Sequence, residues 1–351
     1  MKIKELIIMA GLLSPMPLLA QMTTAVPFLA AAPDARSVGM GETGVATAPD
    51  ANSLYWNVAK YAFAKDTAGV SLSYAPWMRS VEKGMNLGAA NGFYRFGGKH
   101  AVALGARFFT YGKTELLGEA GELAGSESPM DFAIDAAYSY RFSENWSAGV
   151  AVRYIHSDAL AGVADAASAF AADLSVYFDR KNQWLGKEWN WRAGLSISNL
   201  GTKLSYGDGL DNNYLPANLR LGGSAAMKVN SKNEIALTVE LNKYLVPVPE
   251  TNADGIRVLP DKSVFGGIGK SFSQDFASVA WAVGAEYTWS QWLHVYAGYH
   301  HRGEDWGDRR YFTCGLGAEY SRFVLNGAYR IPSGSDSPFH NSWCLSLGYR
   351  F

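Results

Sequence analysis

Disulfides can contribute little to this chain, because Cys314 and Cys344 are the only cysteines among its 351 residues. Two thiols do not make the cross-linked framework of a small secreted domain, and the strand pattern described below puts them on opposite faces. Charge is scarce as well. Asp, Glu, Lys and Arg make up 18% of the residues, below the soluble average of about 25%. With a net charge of -1, nothing in the composition points to a nucleic-acid partner. Beyond the first twenty residues, no run of about 18 apolar residues could cross a bilayer as a helix. A helical membrane protein is therefore excluded. What the chain has instead is aromatic residues, 13% of the total, and 37 glycines.

The opening stretch MKIKELIIMAGLLSPMPLLAQ has the form of an export signal. Lys2 and Lys4 give a positive start, Leu6 to Leu19 a largely apolar middle, and Ala20 a small residue for cleavage. Pro15 and Pro17 argue against a buried helix here. This assigns 1–20 as a signal peptide and starts the mature chain near Gln21.

Much of the remainder alternates. Between Asp131 and Phe142, Phe132, Ile134, Ala136, Tyr138, Tyr140 and Phe142 share one side, while Asp131, Ala133, Asp135, Ala137, Ser139 and Arg141 share the other. The same period of two recurs through 146–154, 191–198, 234–241 and 281–289. It marks strands and rejects amphipathic helix. Sandwich strands average about 5 to 6 residues. These run for about 10 to 12, the length a tilted strand needs to cross a bilayer. Aromatics gather near their ends, and the second face mixes Gly, Ala and Ser with a few charges, as the inside of a barrel would.

About fourteen strands can be placed, an even number as single-chain outer-membrane barrels require. On one side their connections are FGGK, SEN, RKNQWLGKE, NSK, SQ and SR. On the other they are 112–130, 157–167, 200–216, 243–278, 302–309 and 332–340, all longer. That asymmetry makes the short side periplasmic, with both mature termini, and the long loops extracellular. The expected fold is all-β: an antiparallel transmembrane barrel over 67–351, preceded by a hatch or plug over 21–66. The final strand, NSWCLSLGYRF, puts Trp343, Leu345, Leu347, Tyr349 and Phe351 on one face. It would pair with the first strand to close the ring, and its terminal aromatic resembles the signal read by the barrel-insertion machinery.

Residues 22–66 do not alternate. They are rich in small residues, Gly39, Gly41 and Gly44 break any long helix, and APD occurs at both 32–34 and 48–50. Their apolar content needs burial, unlike that of a disordered tail, so a plug inside the lumen is expected. The run DARSVGMGETGVATAPDANSLYWNVAKYAFA, followed by AGVSLSYAPWMRSV, closely resembles the N-terminal region of the PorV (LptO) family. That family is an outer-membrane component of the type IX secretion system of Bacteroidetes, within the FadL-like group of fourteen-stranded barrels with an N-terminal hatch. The hatch residues that carry the resemblance are Asp34, Arg36, Met40, Gly41, Gly44, Asp50, Asn52 and Asn57. Weaker likeness extends through RRYFTCGLGAEYSRFVLNGAYRIP. One departure stands out: Val58 occupies the place where the family commonly has proline after Asn57. Val58 lacks that proline's fixed φ and keeps its own N–H.

The resemblance implies a shuttle with no cofactor and no catalysis. Its partners would be the type IX translocon barrel, the C-terminal signal domains of secreted proteins, and a sortase-like attachment complex, with outer-membrane lipid and lipopolysaccharide around the barrel. A FadL-like transporter of hydrophobic small molecules is the alternative. Loop 243–278 is the longest insertion and is too apolar to be simply solvated. Val258, Leu259, Val264, Phe265 and Ile268 are its candidate docking residues, although packing over the barrel mouth would also account for them. The cluster HHRGEDWGD has no metal-site spacing and reads as a loop at a strand end. Asp131, Asp135, Arg141, Arg153, Asp173, Arg192, Glu234, Glu240 and Glu286 fall on predicted lumen faces, where paired charges are expected, with a conduit lining as the alternative.

Overall fold

Alternation of a large apolar side chain with a small or polar one gives each strand one face suited to lipid and one suited to an interior. The computed structural model describes residues 24–351 except 80, 81, 83, 118–121, 163, 208–212, 248–249, 252–256, 259, 261, 274–277, 304–308 and 334–341. The signal peptide assigned to 1–20 lies outside the described residues. Fourteen strands form a closed antiparallel ring. They are β1 (Ala68–Pro76), β2 (Met85–Phe96), β3 (His100–Tyr111), β6 (Met130–Arg141), β7 (Trp146–Ser157), β8 (Ala167–Trp184), β9 (Lys187–Gly201), β10 (Asn218–Lys228), β11 (Glu234–Tyr244), β14 (Val279–Trp289), β15 (Leu293–Arg302), β16 (Arg309–Tyr320), β17 (Phe323–Pro332) and β18 (Trp343–Arg350). Two small hairpins stand apart from the ring: β4 (Thr114–Leu117) with β5 (Leu123–Glu127), and β12 (Glu250–Thr251) with β13 (Arg257–Val258).

Each barrel strand pairs with its neighbours in sequence, and β1 pairs with β18 from Gly69↔Arg350 to Tyr74↔Leu345. The Phe351 N–H continues that seam by donating to Ala68 O at 3.0 Å. Closure leaves no unpaired edge in the ring. Leu72, Leu104, Ile134, Val152, Leu237 and Leu325 are exposed on the outer face. Their alternates Ser71, Ser73, Asp135, Ser175, Ser224 and Asn326 are buried inside. The apolar outside and polar inside are those of a membrane barrel. Cys314 is exposed on the outer face, Cys344 is buried on the inner one, and both are free thiols.

The ends of the barrel differ. At one, tight turns join the strands, and at 97–98, 185–186 and 290–291 both central residues have positive φ. Such I′-type turns match the right-handed twist of paired strands. At the other end lie the long loops. RKNQWLGKE is not the loose connection expected from the sequence. It continues β8 to Trp184 and opens β9 at Lys187, around Leu185 and Gly186 with φ of 51° and 72°. Trp184, Trp189 and Trp191 pack together on this extension, with ring centroids 5.3 to 6.0 Å apart. Trp191 already stood at the head of the alternating run 191–198, but the Lys, Asn and Gln around Trp184 and Trp189 disguised those two as loop residues.

Candidate functional site

Residues 24–66 lie inside the ring as short turns rather than one helix. They form η1 (Pro27–Ala30), α1 (Ala35–Gly39), α2 (Ser53–Trp56) and η2 (Val58–Phe63). Asp34 caps α1, its side chain accepting the Ser37 N–H at 3.0 Å and the Trp56 indole N–H at 2.7 Å. Burial, with Asp50 adding to it, raises the Asp34 carboxyl above its ordinary range. Gly41 takes φ 72° where a Cβ would stand 2.7 Å from Val283 O, so only glycine fits so close to the wall.

The segment is fastened all round the ring. Ala35 N–H donates to Ser346 Oγ, and Cys344 Sγ lies 3.6 Å from Pro33 O (β18). Arg36 joins Asp50 at 2.9 Å to Glu286 at 2.7 Å (β14). Gly41 N–H donates to Thr313 Oγ1 (β16), and its carbonyl faces His300 (β15). The backbone N–H groups of Gly44 and Val45 both donate to Glu240 Oε2 (β11), at 2.7 and 2.9 Å. Asn52 Oδ1 accepts from Ser71 (β1) and Asn91 (β2). Tyr55 lies between the guanidinium groups of Arg107 (β3) and Arg220 (β10). Asn57 spans from Val45 O to Val176 O (β8). Ala59 O accepts from Ser147 (β7). Contacts of Val45 with Gly194 (β9), of η2 with β6, and of Glu42 with Arg330 (β17) complete the circuit of fourteen strands. Val58 opens η2 with Asn57 as its cap. Pro is tolerated at that position because an N–H there has no partner within the helix, so valine gives up only a fixed φ.

Sequence reasoning missed the most deeply buried ion pair between the segment and the wall. Arg330, with 0% side-chain exposure, is paired to Glu42 Oε1 at 2.8 Å. Burial alone would raise the Glu42 carboxyl, but Arg330, with His300 and Arg309 beyond it, outweighs burial and lowers it to about 2. Lys60 is also buried, donating to Gly44 O and Thr47 Oγ1, and burial lowers its amine to about 8. Several of the expected lumen charges are paired: Arg153 holds Asp135 at 2.5 Å and Asp173 at 2.9 Å, and also bonds Asn199, whereas Asp131 accepts from the Tyr111 and Ser157 hydroxyls instead. In HHRGEDWGD, His300 is buried against the lumen segment and His301 stacks on Trp281, while Glu304 and Asp305 lie outside the described residues. Among the described residues no cluster could hold a metal ion.

The mature N-terminus expected near Gln21 lies outside the described residues. Thr24 bridges Tyr214, in the loop between β9 and β10 at the long-loop end, whereas Ala68 and Phe351 meet at the tight-turn end. The first described residue and the last therefore sit at opposite ends of the barrel. A segment that lines the lumen from end to end separates them.

At the long-loop end, loop 243–278 divides into a packed part and a presented part. Leu245 and Val246 are buried. Val258 lies in β13 and Leu259 lies outside the described residues. Val264, Phe265 and Ile268 belong to a helix, α3 (Val264–Ser271), capped by Ser263. Phe265 is 84% exposed and Phe272, at the end of the helix, 60%. Seven residues is about two turns, so both rings project from one side, with the bare Gly269 between them. Of the terminal-strand residues, Leu345, Leu347 and Phe351 are exposed on the outer face and Trp343 and Tyr349 are half-buried there.

Fold and lumen segment together define an outer-membrane β-barrel whose interior is occupied by its own N-terminal residues. The chain belongs to the family of the type IX secretion system protein PorV, whose model matches residues 19–251. Among solved structures it is similar to the toluene transporter TodX of P. putida, with a TM-score of 0.57 and 12% identity over 91% of this chain and 98% of that one. It is also similar to the toluene transporter TbuX of Ralstonia pickettii, with a TM-score of 0.52 and 11% identity over 91% of this chain and 98% of that one. At such identities the likeness is one of fold. No curated protein matches the chain.

Proposed function

We propose that the chain is a docking and delivery component of type IX secretion. It binds the C-terminal signal domains of secreted proteins as they leave the translocon barrel and passes them to the sortase-like attachment complex. The tight-turn end then faces the periplasm and the long-loop end the outside. Membership of the PorV family is the observation that carries this reading. Two features of the molecule support it. A lumen tied to residues 24–66 around the whole ring suits a binding platform better than an open conduit, and the Phe265–Phe272 side of α3 is an exposed apolar face. The reading contains no chemical step and no cofactor. The hatch residues fasten the platform rather than act on cargo, and the terminal strand serves insertion.

The test is recovery of a signal-domain fusion from cells with the native chain, with 243–278 replaced by a short linker, and with Phe265→Ser. Loss of recovery in both variants at normal outer-membrane levels is expected. Equal recovery would remove the loop as the docking surface. Loss of hydrophobic-substrate uptake in a deletion strain whose secretion stays intact would overturn the whole reading.

A further inference from the structure

Tyr214 is buried where three parts of the molecule meet, and each is attached to a different portion of it. Its main chain belongs to the lumen segment: Thr24 forms a parallel bridge with it, and the Ala25 N–H donates to its carbonyl at 2.9 Å. Its side chain reaches the other way, into loop 243–278. The phenol O–H donates to Lys262 O at 2.7 Å, with Pro260 O 3.1 Å away, and the phenol oxygen accepts the Lys262 N–H at 3.3 Å. The ring lies against α3, so that a Cβ on Gly267 would stand 3.0 Å from its edge. The Lys203 ammonium sits 4.5 Å from the ring centroid. Gly267 is thus held against the ring on one side of α3, while Phe265 and Phe272 are left exposed.

The geometry points to Tyr214 as the positioning residue of the docking helix, with the N-terminal end of the lumen segment as the element that sets Tyr214. This rests on the reading of α3 as the docking face. Seating of residues 24–30 and orientation of α3 then form one equilibrium. Coupling of this kind is reciprocal: a partner that fixes α3 also stabilises the N-terminal end in the lumen, and loosening that end lowers affinity at α3 without touching it. The partner is of the class already proposed, a folded domain presenting an apolar surface to two aromatic rings.

Amide hydrogen exchange on the full mature chain in detergent micelles tests the coupling. Tyr214→Phe keeps the ring and removes both phenol hydrogen bonds, and should speed exchange over 262–272 about tenfold or more, the scale of one to two net hydrogen bonds. Ala25→Pro removes the N–H that holds the Tyr214 carbonyl and touches nothing in α3. It should also speed exchange over 262–272, with β10 and β11 unchanged. A merely structural Tyr214 would not transmit that second effect. Unaltered exchange over 262–272 in Ala25→Pro would overturn the proposal. Phe265→Ser separates this from the docking reading, because it should weaken capture of the signal domain while leaving the transmitted exchange effect intact. Undiminished capture with the exchange effect present would sink α3 as the docking face and leave the coupling standing.

Discussion

A carboxylate and a guanidinium buried together are a liability unless they face each other, and Glu42 and Arg330 do. Removing one member leaves the other desolvated without its counter-charge, so Glu42→Gln should destabilise the seated lumen segment by about 3 kcal/mol. Its pH dependence has a definite sign. With the folded carboxyl held near 2 and the ordinary value at 4.5, the pair contributes fully above pH about 4.5 and is lost as pH falls through about 2. Trypsin at pH 7 should therefore cut the variant within 24–66 faster than the native chain. Pepsin near pH 2 should cut both alike. Equal ratios at the two pH values would contradict the assignment. The sequence held little sign of this pair: Arg330 follows the inward parity of Asn326 and Ala328, but nothing local marks Glu42. Its φ of 64° arises from the turn begun by Gly41. Asp34, Arg36 and Asn57 were legible only through the family likeness, since their partners are up to 250 residues away.

At the scale of elements, period-two alternation located every barrel strand, because lipid on one side and a filled lumen on the other impose opposite demands on adjacent residues. β6 shows this plainly, with Ile134 and Tyr138 exposed and Asp135 and Ser139 buried. The signal failed where those demands lapse. Beyond Phe178 the hairpin of β8 and β9 has exposed residues on both faces, and its Lys, Asn and Gln resembled a loop. The helix α3 escaped notice for another reason: VFGGIGKS is apolar but too short and too glycine-rich to show a helical period. Leu185 provides a check on the hairpin. It is 79% exposed at positive φ, a conformation that costs a side chain with a Cβ roughly 1 kcal/mol. Leu185→Asn gives the Asn-Gly pair that I′ turns favour. Exchange of the amides in 181–190 should slow by several-fold, and no change would mean that the turn is held by its tryptophans alone.

For the whole molecule, the ring depends on one long-range seam, six residue pairs between β1 and β18. Phe351 adds a rung by its N–H to Ala68 O and packs its ring 4.7 Å from that of Tyr349. Phe351→Ala should reduce the amount of assembled barrel in the outer membrane, read by heat-modifiable migration, more than it changes partner binding per assembled molecule. Normal assembly with selective loss of binding would show that this residue serves recognition instead.

The seam also imposes an order in time. Residues 24–66 reach from the tight-turn end to Tyr214 at the other, inside a wall whose buried Arg330 and Glu240 face them. A ring that closed first would enclose Arg330 without Glu42 opposite it. It would then have to admit forty residues lengthwise through its own bore. Laying the segment against an open sheet avoids both difficulties. Zipping of β1 to β18 is then the last event of assembly, and a chain unable to seat its N-terminal residues stalls as an open sheet rather than maturing into an empty barrel.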